Sequence, residues 1–522
     1  MKKMPREIEL KFEFNSANER ALRRHLRRVC GGKRPVTEPL VSIYFDTPDL
    51  RLFAKGISLR VRRVGKRYRQ TIKIAEGPAT GLFDRAEWEQ DIHGPKPDLA
   101  LVKGDAFADL LNGRHPRSLR PIFETRVRRT KFNLTSHGQK IELALDQGEI
   151  DTGKRRTPIC ELELELKRGE RTSLFELAKA LTDVIPLRLC VKAKAERGYE
   201  LARNLINPID KAADVHLSPD MTTQEAFRII GNGCLRQLMA NEPAMIAGDV
   251  EALHQMRVAL RRLRAAISAF STIVADSDWQ KIRSELRWIT GALGPVRDLD
   301  VFVAEVLIPL RSQNPDESGV LSIFRDFEGR RATAHREAAA AIQSARFCAT
   351  VLDAAKWIEV GPWTKTDDDL MRLLREQPVP VHAANALQKR RRKLRRTGKT
   401  LKELSPRERH AVRIAAKKFR YAAEFFSDVF PEKAAAKRCK DALSALKDLQ
   451  DALGGLNDIT VREQLASNIA LSPRLKSNTL QARHRAFAAG VIFGSQEAHV
   501  AELLEAAQRA YESFLKVRPF WK

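Results

Sequence analysis

The sequence predicts an α+β N-terminal domain of about eight short strands, enough to close a barrel, followed by an all-α C-terminal domain of two repeated helical bundles. Three observations lead there. Short runs of alternating apolar and charged residues fill residues 1 to 205, the chain turns almost wholly helical from Thr222, and the helical part repeats a histidine-and-arginine pattern.

The first run, Glu7-Ile8-Glu9-Leu10-Lys11-Phe12, sets the pattern: Glu7, Glu9 and Lys11 share one face of a strand, and Ile8, Leu10 and Phe12 share the other. Asn15 to Val29 has helical spacing and stops at Gly31-Gly32, a C-cap signal. Strands are expected at Val41–Phe45, Ile57–Val64, Tyr68–Ile74, Arg85–Ile92, Phe123–Leu134, Lys140–Asp146 and Ile159–Leu166. Their polar faces mix signs: Arg60 with Arg62, Arg69 with Lys73, Arg85 with Glu87 and Glu89, Glu142 with Asp146, and Glu161 with Glu163 and Glu165. If helices cover the apolar outside, these rows point into the barrel, where each charge needs a partner, water, metal or ligand. Ordinary salt bridges within the barrel are one answer. A ligand with many negative charges is another, gripped by Arg and Lys, with carboxylate pairs holding a hard cation such as Mg²⁺ or Mn²⁺.

Composition narrows the partners. With 522 residues and 43% hydrophobic content the chain has material for two or three cored domains. Lys and Arg number 93 against 66 Asp and Glu, a formal +27, so the long-range field favours polyanions. Cys30, Cys160, Cys190, Cys234, Cys348 and Cys439 are scattered without a C-x-x-C pair, which argues against a disulfide framework or zinc site and fits a reducing cytoplasm. From Met1-Lys2-Lys3 the chain runs directly into a charged strand, and no apolar run nears the ~18 residues of a membrane span, so a soluble, cytoplasmic protein with no membrane partner is expected.

Residues 206–219, opening with Asn207-Pro208-Ile209-Asp210 after the break in pattern, read as a linker between a domain at 1–205 and one at 220–522. In the second domain His254-x-x-Arg257-x-x-x-Arg261-x-x-Arg264 recurs as His410-x-x-Arg413-x-x-x-Lys417-x-x-Arg420. Offsets of three, seven and ten residues stay within about a quarter of a helix's circumference, so each set makes one basic stripe. A second repeat pairs Leu293-Gly294-Pro295-Val296-Arg297-Asp298-Leu299-Asp300 with Leu453-Gly454-Gly455-Leu456-Asn457-Asp458-Ile459-Thr460. The two bundles are expected at about 220–360 and 380–522, with an inter-bundle loop from Gly361-Pro362 to Pro380 and a very basic helix at Gln388–Lys399.

The N-terminal residues resemble the CYTH family, also called triphosphate tunnel metalloenzymes. The resemblance rests on Glu7-x-Glu9-x-Lys11, then Tyr44-Phe45-Asp46-Thr47-Pro48, Leu59-Arg60-Val61-Arg62, Gln70-Thr71-Ile72-Lys73, Leu145-Asp146-Gln147-Gly148, Glu161 to Leu166, and Lys194-Ala195-Glu196-Arg197-Gly198-Tyr199. E-x-E-x-K alone is a weak motif; the ordered set across the domain is strong and looks most like the bacterial inorganic triphosphatases. The resemblance implies an eight-stranded antiparallel tunnel. Lys11, Arg60, Arg62, Lys73, Arg85, Arg129, Lys194 and Arg197 would face phosphate, with Arg126 and Arg128 competing for the place of Arg129. Glu7, Glu9, Asp146, Glu163 and Glu165, with Glu161 as a substitute, would face Mg²⁺ or Mn²⁺. Glu7, Glu9, Lys11, Arg60, Arg62 and Lys73 would form the catalytic set. A water activated by the metal would displace pyrophosphate in line from inorganic triphosphate.

The paired stripes resemble the CHAD domain, which implies that His254, Arg257, Arg261, Arg264, His410, Arg413, Lys417 and Arg420 bind inorganic polyphosphate in a basic groove. Open alternatives are hydrolysis of thiamine triphosphate or a nucleoside triphosphate, or cyclisation of ATP, in the same tunnel. A non-catalytic polyphosphate or nucleic-acid binder is the other class. Aromatics make up only 7% of the chain, which counts against a base-stacking reader, so no specific nucleic-acid partner is expected.

Overall fold

The computed structural model describes residues 6–32, 34–75, 77, 79–102, 119–136, 138–365, 368–470 and 480–522. Met1-Lys2-Lys3, the expected charged start, lies outside them. By contacts the chain separates into two compact units. One holds Met1–Lys211 with Leu235–Ala244 and Gln343–Gly361; the other holds Ala212–Cys234, Met245–Ile342 and Pro362–Lys522. Residues 206–219 carry neither helix nor strand.

The first unit is built on β1 (Arg6–Phe14), β2 (Val36–Asp46), β3 (Ile57–Val64), β4 (Arg67–Ile74), β5 (Leu82–Ile92), β6 (Arg120–Ser136), β7 (Gln139–Asp151), β8 (Arg156–Arg168) and β9 (Leu187–Leu189). The order β5-β4-β3-β2-β6-β7-β8-β1 closes into an antiparallel barrel through pairing of β5 with β1. Eight strands therefore form the ring the sequence predicts, although most run longer than expected. Closure is partial along β1: Arg6–Leu10 pairs with β5, while Phe12–Phe14 pairs with the short strand β9, which was not expected.

Alternation along the strands gives the barrel one face rich in apolar side chains, covered by helices, and an inward face that carries charged ones. On β1, Leu10 and Phe12 are fully covered. Helix α1 (Glu19–Val29) follows a 3-10 turn at Ser16–Asn18, so the expected Asn15–Val29 helix is two pieces. It ends where Gly31 and Gly32 take φ of 70° and 72° and Gly32 N–H reaches the Arg27 carbonyl. Helix α2 is a single turn at Arg51–Ala54. Helix α3 (Arg171–Thr182), beyond the expected strands, buries Leu174, Phe175, Ala178 and Leu181 at helical spacing and packs on β1 and β8. Helix α4 (Lys194–Ala202) packs on β6 and β7 so closely that a Cβ at Gly198 would lie 2.1 Å from the Phe123 ring. Gly148 is required for a similar reason: its Cβ would lie 1.9 Å from the Arg126 carbonyl oxygen on β6.

The helical remainder comprises α5 (Thr223–Ala240), α6 (Val250–Ala269), α7 (Trp279–Ala292), α8 (Gly294–Phe302), α9 (Ser318–Ile342), α10 (Ala345–Val360), α11 (Asp369–Glu376), α12 (Val379–Thr397), α13 (Pro406–Phe425), α14 (Lys433–Ala470) and α15 (Leu480–Lys516), with shorter turns between. The segment expected as an inter-bundle loop contains α11, capped by Asp368, and the basic helix begins nine residues earlier than Gln388, at Val379. Helix α13 opens with a capping box between Ser405 and Glu408 and packs against α6, so the two stripe-bearing helices meet. Among the described residues no helix is long and apolar enough to cross a membrane, and all six cysteines are free.

Candidate functional site: a charged barrel interior

The barrel encloses a pocket lined by seven bases, Lys11, Arg60, Arg62, Lys73, Arg85, Arg129 and Lys194, against four acids, Glu7, Glu9, Asp146 and Glu163. Each base comes from an inward strand position except Lys194, which enters from the first position of α4. Strand parity settles the competition on β6. Arg129 is buried and points inward beside Val127, while the side chains of Arg126 and Arg128 are 51% and 59% exposed.

The acids are held in a continuous network. Lys11 donates to Glu163 at 2.9 Å and lies 3.1 Å from Glu9. Lys194 sits 2.9 Å from Asp146, 2.6 Å from Glu161 and 2.7 Å from Glu163. Arg85 contacts Glu9 and, at 3.3 Å, Glu7. Lys73 bonds Glu7 and lies 3.1 Å from Glu87. Burial alone would raise the Glu163 carboxyl, but Lys11, Lys194 and Arg129 hold it well below the usual carboxylate range. Glu7 is likewise lowered: burial is opposed mainly by Lys73. Burial would discharge Lys194, yet Asp146, Glu161 and Glu163 hold its pKa well above normal.

Two bases stand apart. Arg62 donates to Ser42 Oγ at 2.9 Å, and burial followed by the neighbouring Arg60 and Arg129 pushes its guanidinium down to about 10. The closest carboxylates to Arg60 are Glu87 and Glu89, at 3.9 and 3.8 Å, and its buried Nε has no hydrogen-bond partner. Beside them the Tyr44 phenol is lowered in spite of burial, by Arg60 and then Arg62. Arg62 is the under-compensated base of this corner; Arg60 is held above its usual value, against burial, by Tyr44 and then Glu87 and Glu89.

Glu165 and Arg197 are not on the pocket wall. Glu165 pairs with Lys167, and burial with the like charges of Glu7 and Glu9 raises its carboxyl. Arg197 lies behind the wall, 2.7 Å from Glu161 and 3.3 Å from Glu13, and it also donates to the Pro158 carbonyl. Sequence reading missed Ser42 and Tyr44 as wall residues. The signal was there, because Tyr44 pairs across to Arg60 and Ser42 to Arg62 on β3. Asp46, in the same motif, is structural: its fully buried carboxylate accepts the N–H groups of Thr47, Leu52 and Phe53 and fixes the turn into α2.

All pocket acids are hard oxygen donors, the donor type that suits Mg²⁺ or Mn²⁺. Each is engaged by Lys or Arg in this arrangement, and among the described residues no group of three or more His, Cys, Asp or Glu side chains stands ready to hold a metal.

In the second unit α6 and α13 bring one basic cluster together. Burial, then Arg413, Arg261 and Arg420, push the Lys417 amine down to about 7, against the pull of Asp458. Arg257 is lowered by burial, with Asp298 opposing and Arg261 and Arg297 adding to the effect. Buried side-chain nitrogens of Arg257, Arg261 and Arg413 have no hydrogen-bond partner, whereas Arg420 Nε lies 3.1 Å from Glu424 one turn on. The matched repeats therefore supply matched parts: Asp298 stands to Arg257 as Asp458 stands to Arg413. Arg264 is exposed, and partial burial followed by the like charges of Arg287 and Arg283 lowers its guanidinium. His254 is lowered by burial and Arg297, and its Nδ1 has no partner; the exposed His410 hydrogen-bonds Asn457 at 2.9 Å.

A closed antiparallel barrel with a charged interior pocket, followed by a helical region with paired basic helices, defines a tunnel-type domain joined to a helical one. The chain carries a CYTH domain over residues 5–199 followed by a CHAD domain over residues 230–467. An inorganic triphosphatase of Haemophilus influenzae is 33% identical over 164 residues; the match spans 31% of this chain and 46% of that protein. An uncharacterised protein of Mycobacterium tuberculosis is 25% identical over 98% of this chain and 97% of its own length. The crystal structure of a CHAD domain from the plant Ricinus communis matches 58% of this chain and 96% of its own, with 26% identity and a TM-score of 0.50.

Proposed function

We propose that the protein is a metal-dependent inorganic triphosphatase, hydrolysing triphosphate to pyrophosphate and phosphate, with a C-terminal polyphosphate-binding module in domains near 1–205 and 220–522. The observation that carries the reading is the corner formed by Arg60 and Arg62: two largely buried guanidiniums that, among the described residues, no carboxylate meets at hydrogen-bond distance. An anion with several tetrahedral oxygens satisfies them, and forked guanidinium donors match phosphoryl geometry. The 33% identity over 164 residues to an inorganic triphosphatase supports the substrate class.

In this reading Arg60 and Arg62 seat one phosphoryl group and keep it from turning. Lys11, Lys73, Arg85, Arg129 and Lys194 exchange part of their carboxylate contacts for phosphate oxygens as substrate enters. That exchange would free Glu7, Glu9, Asp146 and Glu163 to hold Mg²⁺ or Mn²⁺, with Glu165 near the rim. The bound cation supplies neutralisation of phosphoryl charge and polarisation of water. The fixed cations stabilise charge that builds on the transferring oxygens, which is where electrostatic catalysis acts. Tyr44, lowered between the two arginines, adds a hydroxyl at the same corner.

The test is a panel of inorganic triphosphate, thiamine triphosphate and ATP with phosphate readout, in Mg²⁺, Mn²⁺ or EDTA. Preferred release from inorganic triphosphate, abolished by EDTA, is expected. Preference for an organic triphosphate, or activity unaffected by EDTA, would overturn the reading.

A further inference from the structure

Lys194 reaches the pocket from a segment with little regular support. Between β9 and α4 the chain runs through Cys190 to Ala193, and Ala193, the N-cap of α4, has no side-chain capping bond. Ala193 and Ala195 flank Lys194 on the pocket wall, so the backbone here is part of the wall itself. One grip on this segment comes from β1, where the Lys11 carbonyl accepts from Cys190 N–H at 2.9 Å. A local one is Lys192, which bonds Glu200 on α4, and a distant one comes from Arg236 on α5, within the stretch Leu235–Ala244 that belongs to the barrel unit.

Arg236 uses its two terminal nitrogens on two different acceptors. Nη1 donates to the Val191 carbonyl and Nη2 to the Glu196 carboxylate, so one planar group spans Lys194 from three residues before it to two after it. Burial raises the Glu196 carboxyl, and Arg236 is the leading opposing influence. The geometry points to Arg236 as a positioning residue that holds the Val191–Glu196 segment, and through it the Lys194 ammonium, in place for the triphosphate. This rests on the triphosphatase reading and extends it: a residue 47 positions beyond the end of β9 is part of the working enzyme.

The full chain would be compared as wild type, Arg236→Ala, Arg236→Lys, Lys194→Ala and Lys194→Ala/Arg236→Ala. Loss of the fork is expected to lower kcat about tenfold to 100-fold, as misplacement from outside the reacting centre does, while Arg236→Lys recovers only part because an ammonium cannot bridge both acceptors in one plane. In the Lys194→Ala background the second substitution should cost less than about twofold, because both changes remove the same thing. Hydrogen exchange at residues 191–196 should be faster in Arg236→Ala and Arg236→Lys, whether or not the protein turns over. Multiplicative losses in the double variant, or unchanged exchange in a folded Arg236→Lys protein, would overturn the assignment. If wild type hydrolyses no triphosphate, the functional reading fails by itself. Binding of triphosphate measured by calorimetry in EDTA, equal in wild type and Arg236→Lys, would then overturn the positioning role as well.

Discussion

Arg129 grips Asp146 through both carboxylate oxygens, Nε to Oδ1 at 2.7 Å and Nη2 to Oδ2 at 2.6 Å, and the same Nη2 reaches Glu163 at 2.6 Å. β6 and β7 place the two residues directly opposite each other, so the bidentate pair is set by register. Removing Arg129 leaves a carboxylate that is 1% exposed and held by Lys194 at 2.9 Å.

Arg129→Ala should therefore cost about 3–5 kcal/mol of folding stability, the range for breaking one side of a buried pair, with Arg129→Lys intermediate. The same cluster sets an acid limit. Burial raises Asp146, but Lys194 and Arg129 hold it below normal, so its contribution is present above the unfolded value of about 4 and disappears as pH falls through the lower folded value. Urea unfolding from pH 7 to pH 2 should show Asp146→Asn to be less stable than wild type at pH 7, with a shallower fall below about pH 4. Parallel curves would mean that the pair adds nothing to folding.

Glu163 and Glu165 sit two residues apart on β8, yet only Glu163 is on the pocket wall. Glu163→Gln should lower turnover about 100-fold or more, the scale of deleting one preorganised electrostatic group, whereas Glu165→Gln should stay within roughly a few-fold. Steady-state triphosphate hydrolysis at saturating Mg²⁺ and Mn²⁺ separates them. Equal loss in both would place Glu165 among the working carboxylates.

Strand parity made most of this pocket readable from sequence. Once β1 is a strand, Glu7, Glu9 and Lys11 must share a face, and the same holds for Arg60 with Arg62. Parity does not say how far along the barrel axis a residue lies, which is why Glu165 could be grouped with the wall; Arg197 is on helix α4, three residues after Lys194, where strand parity does not apply. Cross-strand register supplies that coordinate, and it depends on turns and bulges such as the shift between Tyr44 and Phe45. The short strand Leu187–Leu189 was unreadable because three residues carry no periodicity and its pairing to Phe12–Phe14 is entirely non-local. The role of Arg236 was hidden for the same reason: its acceptors lie 45 and 40 residues away.

The helical segments that belong with the barrel unit bear on truncation. Besides Arg236, Glu242 meets Arg188 at 3.0 Å, Glu359 meets Arg171 at 3.4 Å, and α10 packs on α3 and β9. A fragment ending at Ile206 keeps the whole closed ring and should fold, but it exposes those faces and frees the segment before Lys194. It should melt below the barrel transition of the full chain and hydrolyse triphosphate more slowly, with kcat falling more than KM changes. Full-chain kinetics from the fragment would show that the barrel needs none of these helices.

Lys417, rather than a histidine, is the group expected to make the proposed polyphosphate binding pH-dependent. Burial and the surrounding Arg413, Arg261 and Arg420, opposed by Asp458, bring its amine to about 7, so in the free protein it is only partly charged at neutral pH. His254 is pushed below its usual range by burial and Arg297, which keeps it neutral there. A polyanion favours the ammonium form, so binding takes up a proton and must strengthen as pH falls. Calorimetric titration of the full chain with long-chain polyphosphate in EDTA should show affinity rising by about tenfold from pH 8 to pH 6, the linkage for one proton. Lys417→Arg, which stays charged, should bind with a nearly flat pH profile. Arg257→Ala/Arg413→Ala should lower affinity and reduce the salt slope, since each lost contact releases fewer counterions. A slope that persists in Lys417→Arg and vanishes in His254→Gln/His410→Gln would return the effect to the histidines.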